Sequence, residues 1–308
     1  MTDRSTSSTV LGFIAILFWS TSIGCSRSLI EKLGPLTAAA CIFLLSGVLG
    51  CAYLAVIGGG LRRALKLPTA YLLGCGGLFV LYEVCLYLAI GLAAGRPQVL
   101  EVGVINYLWP GLTLAFAVPI LKRRAGVLLL PGIVIAFAGV VLAMAGGDGL
   151  SWGRFVEHLC AGPAPYVLAL VAAVTWTLYS NLARKWAGDA KGSAVPLFLL
   201  AAGVLLAGLR FAFPEESNWN LSAVSEVLFM ALVPSLLAYV FWDAAMRRGR
   251  MTLVAAFSYL TPLLSMVVSC LYLRVSPGWN LWVACVLVIG GAVLCKRSIR
   301  PELSAPAT

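Results

Sequence analysis

The chain has 308 residues, of which 61% are hydrophobic and only 11% charged, whereas an ordinary soluble domain carries about 25% charged residues. That composition excludes a substantial soluble domain and predicts a polytopic helical membrane protein. The formal net charge of +10 does not signal nucleic-acid binding, because the cations are shared among short connections between apolar runs rather than gathered on one patch.

A helix needs roughly 20 predominantly apolar residues to cross a bilayer. Ten such runs follow one another, at about 10–30, 36–57, 70–92, 97–121, 127–145, 164–186, 194–213, 222–246, 252–273 and 279–295. The polar lead-in and the length of the first run argue against a cleaved signal peptide. With the N-terminus inside, the inner connections carry basic triplets such as Arg62-Arg63-Lys66, Lys122-Arg123-Arg124 and Arg247-Arg248-Arg250, while the outer ones carry single cations such as Lys32 and Arg210. Basic residues favour the cytoplasmic side, so both termini are expected in the cytoplasm, with the positive charge facing anionic lipid headgroups. The cysteines lie mostly within apolar runs and form no CxxC pair. They read as small hydrophobes, with no metal, cofactor or disulfide implied. His158, in the connection between the fifth and sixth runs, reads as a solvated loop residue.

Along the chain, aromatic and polar residues recur deep inside particular runs. The first holds Trp19, Ser20 and Thr21, and no acid. The third holds Tyr82, Glu83 and Tyr87; Glu83 and Tyr87 lie one turn apart on one helix face. The fourth opens on Arg96 and Glu101, read as a charge network or an outer gate, and continues through Asn106, Tyr107, Trp109 and Pro110. The sixth holds Trp176 and Tyr179. The eighth holds Trp242 and Asp243; Asp243 stands four residues before Arg247, the spacing of a helical ion pair, and reads as a rim ion pair at the cytoplasmic side or, alternatively, as a coupling or gating acid. The ninth holds Ser258, Tyr259, Thr261 and Pro262. Trp152, Trp219 and Trp279 sit in or beside outer loops and read as interfacial anchors. A proline within a helix removes a backbone donor and clashes with the preceding turn, so Pro110 and Pro262 are expected to bend their helices around a cavity. Intramembrane carboxylates are costly and tend to be functional. Glu83 therefore has three readings: a ligand for a substrate ammonium, a carrier of a coupling proton, or a neutral hydrogen-bonded structural acid.

The run pattern repeats. At a constant offset of 152 residues, Asn106, Tyr107, Leu108 and Pro110 meet Ser258, Tyr259, Leu260 and Pro262, and Tyr87 meets Tyr239. Upstream, Trp19 matches Trp176 at an offset of 157 residues, the shift set by a difference in loop length. The chain thus divides into two five-run halves, residues 10–146 and 164–297. Five is odd, so the second half enters from the opposite side, as in the inverted repeats of secondary transporters. The predicted fold is an all-α membrane protein of ten transmembrane helices, two inverted five-helix repeats around a central cavity. An aromatic-walled cavity with few polar groups suits a small zwitterion with a ring; the candidate walls are Trp19, Tyr82, Tyr87, Tyr107, Trp109, Trp176, Tyr179, Trp242 and Tyr259, and the candidate polar groups Ser20, Thr21, Asn106, Ser258 and Thr261.

The motifs FWSTSIG at 18–24, LYEVCLYLAIG at 81–91, RPQVLEVGVINYLWPGLT at 96–113 and SYLTPLLS at 258–265 resemble the aromatic amino-acid exporter branch of the drug/metabolite transporter superfamily, with its paired EamA-type domains. The resemblance covers nearly the whole chain. It implies a ten-helix basket in the bacterial inner membrane that exports aromatic amino acids, with methionine and other neutral amino acids as further cargo. Absences narrow the chemistry. No Lys or Arg falls at the predicted midplane, which disfavours phosphate-bearing cargo. No GxxxxGK[ST] is present, so ATP is not the direct energy source. The alternatives are a broader metabolite or drug exporter of the same fold and, less favoured, an integral membrane transferase, which would want clustered acids or a reactive histidine. The transport unit is expected to be a monomer.

Overall fold

The computed structural model describes residues 2–56, 60–94, 96–144, 152–188, 190–264 and 279–300. The described chain is almost wholly helical: α1 (Thr2–Ser20), α2 (Ser22–Leu33), α3 (Pro35–Val56), α4 (Gly60–Leu65), α5 (Ala70–Gly91), α6 (Arg96–Asn106), α7 (Trp109–Ile120), α8 (Leu129–Met144), α9 (Trp152–Ala161), α10 (Ala164–Ala187), α11 (Val195–Ala212), α12 (Leu221–Arg248), α13 (Met251–Phe257) and α14 (Trp279–Ser298). A further helical stretch covers 260–264. Two two-residue strands, Arg124–Ala125 and Ile299–Arg300, pair antiparallel. Six segments are long and apolar enough to cross a membrane, and the shorter apolar helices Ser5–Ser20, Leu129–Leu142 and Met251–Leu264 accompany them. Many large apolar side chains face outward, among them Leu73, Val127 and Val286, as suits a lipid-facing surface. This is an all-α membrane protein. The ninth predicted run lies outside the described residues beyond Leu264.

The helices pair across long stretches of sequence. α3 packs along α11, α8 along α14, α5 along α10, and α1 along the last part of α12. Two of these contacts are backbone-close because glycines face each other's helix. A Cβ at Gly47 would meet the backbone of Leu200, and one at Gly203 the backbone of Phe43 and Leu44; Gly132 and Gly291 stand in the same relation between α8 and α14. Without a solvent-driven apolar effect between helices in lipid, such close packing is the main source of cohesion.

The runs are interrupted where the sequence competes with helical hydrogen bonding. At the end of α1, three successive hydroxyls turn back on the backbone: Ser20 donates to the Leu17 carbonyl at 2.6 Å, Thr21 to Phe18 at 2.8 Å and Ser22 to Trp19 at 2.7 Å. Such local bonds offer the chain an alternative to the helix, and it breaks at Thr21. In the fourth run the break falls at Tyr107–Leu108, before Pro110. Pro110 and Pro262 lie within the apolar spans Glu101–Ile120 and Met251–Leu264, each interrupted by a short turn. Each sits just after a break, Pro110 in the first turn of α7 and Pro262 three residues past the turn at Ser258–Tyr259. A proline is tolerated there because its missing N–H would have no helical partner. α5 opens with a π-helical stretch at Ala70–Cys75, and α12 contains one at Ala231–Leu237 that includes Pro234.

Candidate functional site

A cavity of about 490 Å³ lies among α1, α2, α3, α5, α6, α10 and α12, within the roughly 300–1,000 Å³ typical of small-molecule sites. Helical periodicity builds its walls. Ser22, Ser26 and Ile30 line one face of α2; Tyr82, Glu83, Leu86, Tyr87 and Ile90 one face of α5; Val99, Val102, Gly103 and Asn106 one face of α6. The breaks add Trp19, Tyr107 and Trp109, and the π-helical stretch of α12 adds Pro234 and Ser235.

One end of the cavity is an aromatic floor centred on Trp176, which is only 2% exposed. Its ring centroid lies 4.8 Å from Tyr82, 5.5 Å from Tyr239, 5.8 Å from Trp19 and 6.4 Å from Trp109, the spacing at which rings attract through offset and edge contacts. Trp242 closes the layer from beneath, 5.2 Å from both Trp19 and Trp109, with its indole N–H donating to Ser180 at 3.1 Å. The Trp19 indole donates to the Pro234 carbonyl at 2.9 Å, so the irregular stretch of α12 fixes the ring that faces the cavity.

The polar groups of the cavity are few. Glu83 is 1% exposed and lies near Tyr239, and Asn106 lies near Tyr82. Glu83 Oε1, Asn106 Oδ1 and Thr261 Oγ1 are buried without a partner, and all three residues line this cavity. A buried unpaired oxygen costs about 1–3 kcal/mol, and three around one space mark where a ligand would be bound.

The structure thus gathers Trp19, Tyr82, Glu83, Tyr87, Asn106, Tyr107, Trp109, Trp176 and Thr261 around one space, and leaves other candidates out. Tyr179 lies beneath the floor and donates to Asp243 at 3.2 Å. Ser258 turns back to the Ala255 carbonyl at 2.6 Å, and Tyr259 is buried against Ala136, Val140 and Ala284. Ser20 and Thr21 are engaged by their own helix. Sequence reading passed over Ser22, Ser26, Phe43, Ser235 and Tyr239 as lining residues; the pairing of Tyr239 with Tyr87 in the repeat was the signal for one of them.

The remaining acids have partners elsewhere. Asp243 pairs with Arg247 at 3.0 Å, but both side chains are at most 1% exposed, so the pair is buried rather than at a wet rim. Its carboxylate also accepts from Tyr71 at 2.8 Å and Ser193 at 2.9 Å. Arg247 donates to the carbonyls of Ala187, Ala190 and Gly192 and lies 5.1 Å from the Tyr71 ring centroid. Glu101 accepts from Tyr166 and faces His158 Nδ1 at 3.0 Å. His158 is therefore not a solvated loop residue; it sits on the short helix α9. The Arg96 side chain lies outside the described residues. The cavity runs from the aromatic floor toward Ile30, Ile90 and Val99, while the Asp243 network lies on the floor's other side, at the end where Arg184, Arg247 and the strand pair gather.

The model of the EamA-like transporter family matches residues 6–145 and again 164–296. The aromatic amino acid exporter YddG of Escherichia coli is 34% identical over 95% of this chain and 97% of its own. That of Salmonella typhimurium is 35% identical over 96% and 99%, and that of Ancylobacter novellus 31% over 96% and 98%. A solved crystal structure, 28% identical, superposes with a TM-score of 0.79 and covers 94% of this chain and 98% of that one.

Proposed function

Because the chain belongs to the EamA-like transporter family, we propose that it is a secondary transporter exporting aromatic and other neutral amino acids through the cavity described above. Membership in a transporter family removes the transferase alternative. The names of the Escherichia coli and Salmonella relatives supply the cargo class. The observation that carries the assignment to this site is an aromatic-walled cavity containing three unpaired oxygens. Trp19, Tyr82, Tyr87, Tyr107, Trp109, Trp176 and Tyr239 hold the substrate ring; Glu83, Asn106 and Thr261 hold its ammonium.

The mechanism is alternating access between two five-helix repeats, residues 10–146 and 164–297, inserted with opposite orientation. The double family match supports this division. So does the packing: exchanging each helix for its counterpart turns the α5–α10 pair into the α12–α1 pair and leaves α3–α11 and α8–α14 unchanged. The bundle end carrying Arg184 and Arg247 is cytoplasmic by the distribution of basic residues, with both termini on that side of the bacterial inner membrane and a monomer as the transport unit. In this conformation the aromatic floor and the Asp243–Arg247 network close the cytoplasmic side.

Counterflow in proteoliposomes tests the reading. Vesicles are loaded separately with unlabelled tryptophan, phenylalanine, methionine, threonine, lysine, glutamate or a sugar phosphate, and uptake of labelled tryptophan is followed. Stimulation by the aromatic and neutral amino acids alone is expected. Absence of tryptophan flux under every load, with folded protein, overturns it.

A further inference from the structure

We propose that the same cavity takes aromatic monoamines, rings carrying a primary ammonium and no carboxylate, and that the protein exchanges them across the membrane. The proposal rests on the cavity being the substrate site, and deepens that reading by asking which end of an amino acid the protein recognises. Among the described lining residues there is no Lys, Arg or His, and Glu83 is the only carboxylate. Among these described residues a substrate carboxylate meets no formal countercharge, whereas an ammonium meets the Glu83 carboxyl.

The fully buried unpaired atoms lean the same way. Two N–H or O–H groups of the lining are already engaged by the protein: the Trp19 indole donates to Pro234 and the Ser22 hydroxyl to the Trp19 carbonyl. The fully buried lining atoms left without a partner are Glu83 Oε1, Asn106 Oδ1 and Thr261 Oγ1, two acceptors and a hydroxyl that can accept or donate. An ammonium offers three donors and no acceptor, which answers that set. The aromatic floor adds to the same preference, since ring faces attract cations. Removing the carboxylate from the ligand sacrifices none of these contacts and spares the desolvation of an uncompensated anion.

Three indoles separate the possibilities: tryptophan, tryptamine, which lacks the carboxylate, and indole-3-propionate, which lacks the ammonium. Labelled tryptophan and labelled tryptamine are each followed into vesicles loaded with each compound, at a mildly alkaline pH where a primary alkylamine is still cationic and a buried carboxyl ionises more readily, with protein-free vesicles reporting leak. We expect tryptamine inside the vesicles to stimulate uptake of either label several-fold and indole-3-propionate to stimulate neither. Glu83→Gln should weaken tryptamine exchange about tenfold or more, as for loss of a charged hydrogen bond. Thermal stabilisation of the purified wild-type protein by tryptamine, and not by indole-3-propionate, provides a second readout that needs no variant to fold. Exchange of tryptophan without tryptamine overturns this proposal and leaves the amino-acid reading intact. Stimulation or stabilisation by indole-3-propionate also overturns it, because the carboxylate end would then be the one recognised. Exchange of tryptamine without tryptophan upholds it and overturns the amino-acid reading; exchange of neither overturns both.

Discussion

Asp243→Asn should destabilise the folded protein far more than a single lost hydrogen bond would. Asp243 Oδ1 accepts from Tyr71 and Tyr179, and Oδ2 from Ser193 and Arg247. Asparagine can keep the first pair of bonds, but its NH₂ then faces two donors. Arg247 keeps its three backbone carbonyls and loses its only described countercharge, in a site with 0% and 1% side-chain exposure. Breaking a buried ion pair in this way costs about 3–5 kcal/mol. Arg247→Met is milder, about 1.5–3 kcal/mol, because Asp243 retains three hydroxyl donors. The double variant leaves no uncompensated charge, so its loss should fall short of the summed single losses by about 2 kcal/mol or more. Thermal unfolding of the four proteins in detergent, followed by circular dichroism, measures the cycle. Additive losses, or an Asp243→Asn protein as stable as the parent, would refute the claim that this network holds α5, α10 and α12 together.

Other consequences reach the cavity and the opposite end. Trp109→Ala or Tyr107→Ala should abolish transport while leaving membrane insertion intact; normal transport by both would remove these residues from the site. Trp19→Phe keeps a ring but deletes the donor to Pro234, so the half-saturation concentration should rise about fivefold, the worth of one net hydrogen bond, in a concentration series of tryptophan uptake. Tyr166→Phe should lower thermal stability by about 1–3 kcal/mol because it strips a donor from buried Glu101. His158→Ala should cost less, about 1 kcal/mol at most, because the imidazole is partly exposed and screened; the reverse order would sink this account.

Much of this architecture is legible in the sequence because lipid imposes a simple code, in which apolar length reports a span and a buried polar residue is an exception needing a reason. Glu83, Asn106 and Tyr107 stand out on that basis, and all three line the cavity. Interruptions were harder to read. The prolines suggested bends, yet local hydroxyl bonding at Ser20, Thr21 and Ser22 breaks a helix that contains no proline. The repeat misled at side-chain level: Tyr259 matches Tyr107 in register, but its hydroxyl packs against Gly111, away from the cavity. Partners such as His158 and Glu101, 57 residues apart, leave no periodic trace, because an inter-helix contact is a property of packing rather than of spacing.

The pairing of distant helices has a consequence for how the chain is made. α3, α5 and α8 find their main partners only in α11, α10 and α14. At roughly 5–20 residues per second, the earlier helices wait many seconds in the bilayer before those partners are synthesised. During that interval Gly47 and Gly132 present bare backbone to lipid or to other nascent proteins. The first half is therefore a client of whatever shields unfinished helices at the site of insertion. Expressed alone it should be degraded, and co-expression of the second half as a separate chain should rescue it.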